Sequence, residues 1–153
     1  MKTAIVYYSK HHGNTKKLLD AIARSSNDDI TLIDATEVLS VKLDEYDLIG
    51  FASGIYYSKF DKRVLEFAKN NLPKNKNVFF LYTYSAEKKG YTNAITQAVN
   101  LVNANILGEY GCLGFNTFGP FKLVGGIAKN HPTANEISSA ISFYNSLSKY
   151  NHR

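Results

Sequence analysis

Apolar residues along this chain fall into two spacings: short unbroken runs of strand length, and the i, i+3, i+4 recurrence of a helix that buries one face. Lys2 to Tyr8 is a run of the first kind, Lys16 to Arg24 has the second, and the polar stretch Ser9-Lys-His-His-Gly-Asn-Thr15 lies between them. This predicts strand, loop, helix. Residues 29–34 predict a second strand and residues 47–52 a third, whose continuous apolar character from Leu48 to Ala52 suits burial on both faces of a parallel sheet. Ser53 to Ser58 reads as a polar and aromatic loop, followed by a helix over 61–70 with Val64, Leu65, Phe67 and Ala68 inward. Val78 to Tyr82 predicts the fourth strand, Thr83 to Tyr91 a third loop, and 93–104 a helix. The fifth strand, 105–115, carries Gly108, Gly111 and Gly114, which predict an irregular or bulged course. A connection through His131-Pro132 leads to a last helix over 133–150, with Ile137, Ala140, Ile141, Tyr144 and Leu147 on one face.

Strands that alternate with helices build a doubly wound α/β sheet, since each crossover lays its helix on a face of a parallel sheet. The 153 residues, 44% of them hydrophobic, suit one core, so a single domain over 1–153 is expected. Ligands in such sheets sit at the carboxyl ends of the strands, where three of the loops lie. In the first, the helix that follows aims its free N–H groups and the positive end of its dipole at the loop, which holds no acidic residue. Ser9, Asn14 and Thr15 are small donors and Gly13 permits close approach, so the loop is a candidate phosphate site. The same residues would equally serve as a helix cap and a turn. The other two loops are rich in tyrosine, which suits a flat aromatic ligand carrying a phosphate.

Charge and cysteine content narrow the field. The excess of 18 Lys plus Arg over 13 Asp plus Glu, +5, is spread over several short clusters with no basic arm, so no nucleic-acid partner is implied. The one cysteine, Cys112, excludes an internal disulfide and reads as a packing residue of a buried strand. With no leader pattern and no apolar run of membrane length, a cytoplasmic protein without membrane insertion is expected. His131 reads as a loop residue, and no histidine and carboxylate spacing compels a catalytic assignment.

Four features together resemble the flavodoxin family, in its short-chain branch: the loop Ser9 to Thr15, Ser53-Gly54-Ile55-Tyr56, Thr83 to Tyr91, and the spacing of the strands. The resemblance spans essentially the whole chain. It implies a three-layer flavodoxin-like fold with a five-stranded parallel sheet in order 2-1-3-4-5 and helices on both faces. It also implies bound FMN and electron transfer between redox proteins. The residues it assigns to FMN are Ser9, Lys10, His11, His12, Gly13, Asn14 and Thr15 in the first loop. Ser53, Gly54, Ile55 and Tyr56 follow in the second, and Thr83, Tyr84, Ser85, Gly90 and Tyr91 in the third. Gly54 would allow a peptide to turn its carbonyl toward the flavin, and Tyr56 and Tyr84, with Tyr57 and Tyr91 as substitutes, would contact the ring.

Three features depart from the family. The chain is basic, with pI ≈ 9.2, where flavodoxins are usually acidic, which points to acidic redox partner proteins. It has no tryptophan, and its first loop carries Lys10, His11 and His12 where small neutral residues are usual. The stretch Gly114 to Gly126 also resembles a segment of flavodoxin-like proteins, and its Gly119 to Gly126 part is left without a role.

The alternative function is an FMN-dependent NAD(P)H:quinone or flavin reductase, so enzyme activity stays open, as does the oligomeric state. A receiver domain would need acidic residues at Tyr8-Ser9 and Ala52-Ser53, and a low-molecular-weight phosphatase a cysteine in the first loop; neither requirement is met.

Overall fold

Successive residues of a strand point to opposite faces, and here that alternation sorts the apolar residues into two clusters. In the computed structural model, which describes residues 1–10, 12–38, 40–117 and 123–150, Ala4, Val6 and Tyr8 of β1 (Lys2–Tyr8) belong to one cluster and Ile5 to the other. The first cluster is covered by α2 (Lys62–Asn71) and α3 (Asn93–Asn100) through Val64, Phe67, Ala68, Ile95 and Val99. The second is covered by α1 (Asn14–Ser25) and α4 (Ala134–Leu147) through Leu18, Leu19, Ile22, Ala140 and Tyr144. Helices thus lie on both faces of the sheet, α1 beside α4 and α2 beside α3.

The remaining strands are β2 (Asp29–Asp34), β3 (Leu48–Tyr56), β4 (Lys59–Phe60), β5 (Asn77–Tyr84) and β6 (Asn105–Leu113). Five of them form a parallel sheet in the order β2-β1-β3-β5-β6, the order 2-1-3-4-5 expected for five parallel strands. The short β4 pairs antiparallel with the end of β3. The irregularity expected of the last strand lies in β6, where Val78 pairs with Ile106 but Phe79 with Gly108, leaving Leu107 as the extra residue of a bulge. Gly111 has a packing reason: a Cβ there would come within 2.3 Å of the Tyr82 ring on the neighbouring strand.

Several element ends differ from the sequence expectation. α1 begins at Asn14 and takes in the last two residues of the expected first loop, because Gly13, at φ 63, provides the left-handed bend that starts it. β3 continues through Ser53 to Tyr56, because Ile55 and Tyr56 find backbone partners in Phe60 and Lys59 and close a hairpin. Thr83 and Tyr84 are still strand, paired with Cys112 and Leu113 of β6. α3 ends at Asn100, and α4 gives way to a 3-10 turn over Ser148–Tyr150. Among the described residues no helix is long and apolar enough to cross a membrane, and no cluster of His, Cys, Asp or Glu could hold a metal ion.

Candidate functional site

The carboxyl ends of β1, β3, β5 and β6 open into one cleft of ≈ 990 Å³. Its floor is built by the first loop. Gly13, the N-cap of α1, has no side chain to cap with, and the first turn carries no acid, so the positive end of the helix dipole faces the loop without compensation. Ser9 Oγ accepts the Lys16 N–H at 3.0 Å and thereby folds the loop back over the helix start. Thr15 Oγ1 lies 2.9 Å from Thr83 Oγ1, with both residues buried, which joins the loop to β5. Two hydroxyls have two hydrogens, and only one is used between them; the other is left to donate elsewhere.

Asn14 reaches the opposite way. Its Nδ2 donates to the Phe115 carbonyl at 2.7 Å, while its buried Oδ1 has no hydrogen-bond partner. His12 turns toward the same segment, its Nε2 2.8 Å from Thr117 Oγ1 and its ring 4.3 Å from that of Phe115. It is exposed and lies outside the cleft lining, so it braces the segment after β6.

The second wall is the β3–β4 hairpin. Ser53 is fully buried; its Oγ donates to the Gly54 carbonyl at 2.5 Å and accepts the Asp61 N–H at 3.0 Å, locking the hairpin to the start of α2. Gly54, expected in a loop, sits instead in the strand opposite Thr83 without positive φ. A Cβ there would meet the Tyr56 hydroxyl at 2.9 Å, so its bareness makes room for that ring. The turn falls on Tyr57 and Ser58, at φ 51 and 63, the left-handed pair that a two-residue hairpin requires. Tyr56 meets Tyr8 edge to face, and the guanidinium of Arg63, ion-paired with Asp61, lies over the Tyr8 ring at 4.6 Å from its centroid.

The third wall is a tyrosine group. Tyr84 stands 5.7 Å from Tyr91 and 5.9 Å from Tyr82 between ring centroids, and Tyr91 donates to the Ala86 carbonyl at 2.5 Å. Gly90, at φ 90, makes the bend that returns Tyr91 beneath Tyr84. Burial raises the pKa of all three phenols, Tyr82 to about 12, so they stay protonated donors.

Of the residues singled out from the sequence, Ser9, Lys10, Asn14, Thr15, Gly54, Ile55 and Tyr56 line the cleft. Thr83, Tyr84, Ser85 and Tyr91 line it from the third loop. Gly13, Ser53 and Gly90 shape the walls from behind, and His11 lies outside the described residues, as does Gly119. The sequence reading missed a fourth wall, Gly114, Phe115 and Asn116, held by the Asn14 bond and by an antiparallel bridge between Asn116 and Ile127. Its only signal is the run of glycines and aromatic residues from Gly114 to Gly126.

A family model described as a flavodoxin domain matches residues 5–107, a span that contains the first three walls and stops short of the fourth. An uncharacterized protein of Methanocaldococcus jannaschii is 38% identical over 151 residues, covering 97% of this chain and 99% of that one. Among solved structures, a flavodoxin from the domain Archaea is similar over 100% of both chains, with a TM-score of 0.73 at 20% identity. A flavoprotein of Lactobacillus acidophilus, solved in complex with FMN, has a TM-score of 0.55 at 17% identity, covering 73% of this chain and 93% of that one.

Proposed function

The chain belongs to the flavodoxin family, and from that premise we propose that it binds FMN in the four-walled cleft and carries electrons between redox proteins. The observation that carries this reading is the meeting, in one cleft, of an acid-free helix start with a glycine N-cap, a buried hydroxyl pair and a wall of tyrosine rings. The volume of ≈ 990 Å³ is at the upper end of the usual range for small-molecule sites, about 300 to 1,000 Å³. The orphaned Asn14 Oδ1 also fits, because it needs a donor and the ribityl chain of FMN offers hydroxyls.

On this reading the backbone N–H groups at the start of α1 hold the phosphate, with the hydroxyls of Ser9 and Thr15 adding donors. Asn14 holds the ribityl chain, and Tyr56 and Tyr84 hold the ring, Tyr84 being backed by Tyr91. Ser53 keeps the Gly54 carbonyl engaged and so sets which polar groups of β3 face the ring edge. When bound, FMN supplies one- and two-electron transfer, while the protein supplies position and electrostatics. A purified, FMN-loaded sample tested with NAD(P)H and a quinone separates carrier from enzyme. A carrier oxidises NAD(P)H only slowly until a reductase protein is added; rapid turnover without one would identify the FMN-dependent NAD(P)H:quinone or flavin reductase instead.

A further inference from the structure

The mouth of the cleft is lopsided in charge. Lys10, Lys59, Lys62 and Lys88 line it, all four exposed, and none has an ion-pair or hydrogen-bond partner for its ammonium among the described residues. Asp61 is the one acid in the lining, so the balance there is 4 − 1 = +3. That acid is already committed: it caps α2 by accepting the Arg63 N–H at 2.9 Å, and it pairs with the Arg63 guanidinium at 3.2 Å. An ordinary solvated surface mixes signs in similar numbers; here four cations face one acid. At the tip of the hairpin, beside Lys59, stands Tyr57, which is 88% exposed, a large aromatic surface with nothing covering it.

Resting on the reading of the cleft as an FMN site, we propose that this rim is the docking surface for an acidic redox protein, with Tyr57 as its aromatic anchor. The four lysines come from three separate elements: the first loop, the hairpin with the start of α2, and the loop after β5. Charges contributed by three elements make a broad positive rim, which suits a protein face better than a single small anion. A ring of like charge attracts an oppositely charged protein face, speeds encounter and sets orientation, while an exposed tyrosine supplies the contact area typical of interface hot spots. The partner's acidic face would meet the same cleft mouth through which the ring edge is reached.

The test uses FMN-loaded protein as electron acceptor and a pre-reduced acidic [2Fe–2S] ferredoxin as donor, one electron passing per encounter, followed by stopped flow. Between about 10 mM and about 500 mM salt the second-order rate should fall by about tenfold or more. Measured on protein saturated with FMN, the double substitution Lys59→Glu and Lys62→Glu should lower the low-salt rate by a similar factor and flatten the salt dependence. Tyr57→Ser should lower the rate with the salt slope intact.

A rate that is flat or rises with salt, or that ignores the charge reversal, overturns the proposal. So does an equal effect of the charge reversal on oxidation of the reduced protein by ferricyanide, which would make the lysines a site for small anions. Loss of FMN from Tyr57→Ser would make Tyr57 a ring contact and remove the anchor. If the chain takes up no FMN, the cofactor reading fails separately, and calorimetric titration of the ferredoxin into the flavin-free chain decides docking: binding at low salt that disappears at high salt supports it, and no binding at low salt overturns it.

Discussion

Replacing Thr15 with valine keeps its β-branched shape and removes one hydroxyl from a pair that the fold has sealed. Thr15 is 1% exposed and Thr83 4%, and their oxygens lie 2.9 Å apart. In the flavin-free protein the substitution strands the Thr83 hydroxyl away from water, a loss of about 1 to 3 kcal/mol of stability. Thr83→Val strands Thr15 in the same way. The double variant strands neither and should be close to neutral, so it should be more stable than the sum of the two single losses by about 2 kcal/mol or more, readable from urea unfolding curves. Binding then separates the pair's two tasks. If the hydroxyl of Thr15 also serves the phosphate, as proposed, Thr15→Val should weaken FMN by about 1 to 3 kcal/mol, or about 5- to 150-fold in Kd, and leave riboflavin almost unchanged. Additive stabilities would refute the hydrogen bond, and equal losses for FMN and riboflavin would refute its assignment to the phosphate.

Gly54→Ala should push the Tyr56 ring aside, because the new methyl would sit 2.9 Å from the Tyr56 hydroxyl; spectroelectrochemistry should then show altered separation of the two one-electron potentials with FMN still bound, and an unchanged separation would exclude Gly54 from tuning. Glu136 is pushed up by burial but lowered more by hydrogen bonds from the Thr133 backbone N–H and from His131, so its folded pKa lies below the ordinary glutamate value. A depressed carboxylate stabilises the fold above the unfolded pKa of about 4.3 and loses that contribution as pH falls through the folded value. Glu136→Gln should therefore cost about 1 kcal/mol at neutral pH, where the capping box at Thr133 is complete, and progressively less in acid; urea midpoints over a pH series check this. Cys112 is buried and its thiol is pushed up to about 12, by burial first and then by Glu136, so Ellman's reagent should label it only after unfolding.

What was legible in the sequence was local. The unbroken run Ala4 to Tyr8 and the helical spacing of Leu18, Leu19 and Ile22 mark β1 and α1 because each pattern reflects burial against immediate layers. Alternation of strands with helices marked a doubly wound sheet, while the strand order 2-1-3-4-5 was implied by the resemblance to the flavodoxin family. The hairpin was hidden because Ser53-Gly54 has the composition of a break, while the pairing that extends β3 needs Phe60 and Lys59 to return across a turn made by non-glycine residues at positive φ. The fourth wall was hidden more deeply. Phe115 enters the site through a bond to Asn14, a hundred and one residues away in sequence, and no local periodicity records such a contact. Tyr8 was visible only as a strand residue, although the end of β1 places it in the lining beside Tyr56 and Arg63. Residues at element ends were misjudged where a side chain, such as Ser53 Oγ on Asp61 N–H, extends order beyond the apolar run.

The central claim, that the cleft is a site for a phosphorylated flavin, is tested most directly by titrating the purified chain into FMN and into riboflavin while following flavin fluorescence. The account predicts quenching that saturates at one FMN per chain, with riboflavin bound more weakly by about tenfold or more, the scale of charge-assisted hydrogen bonds lost with the phosphate. Flavin fluorescence that stays unchanged, or riboflavin bound as tightly as FMN, would contradict it.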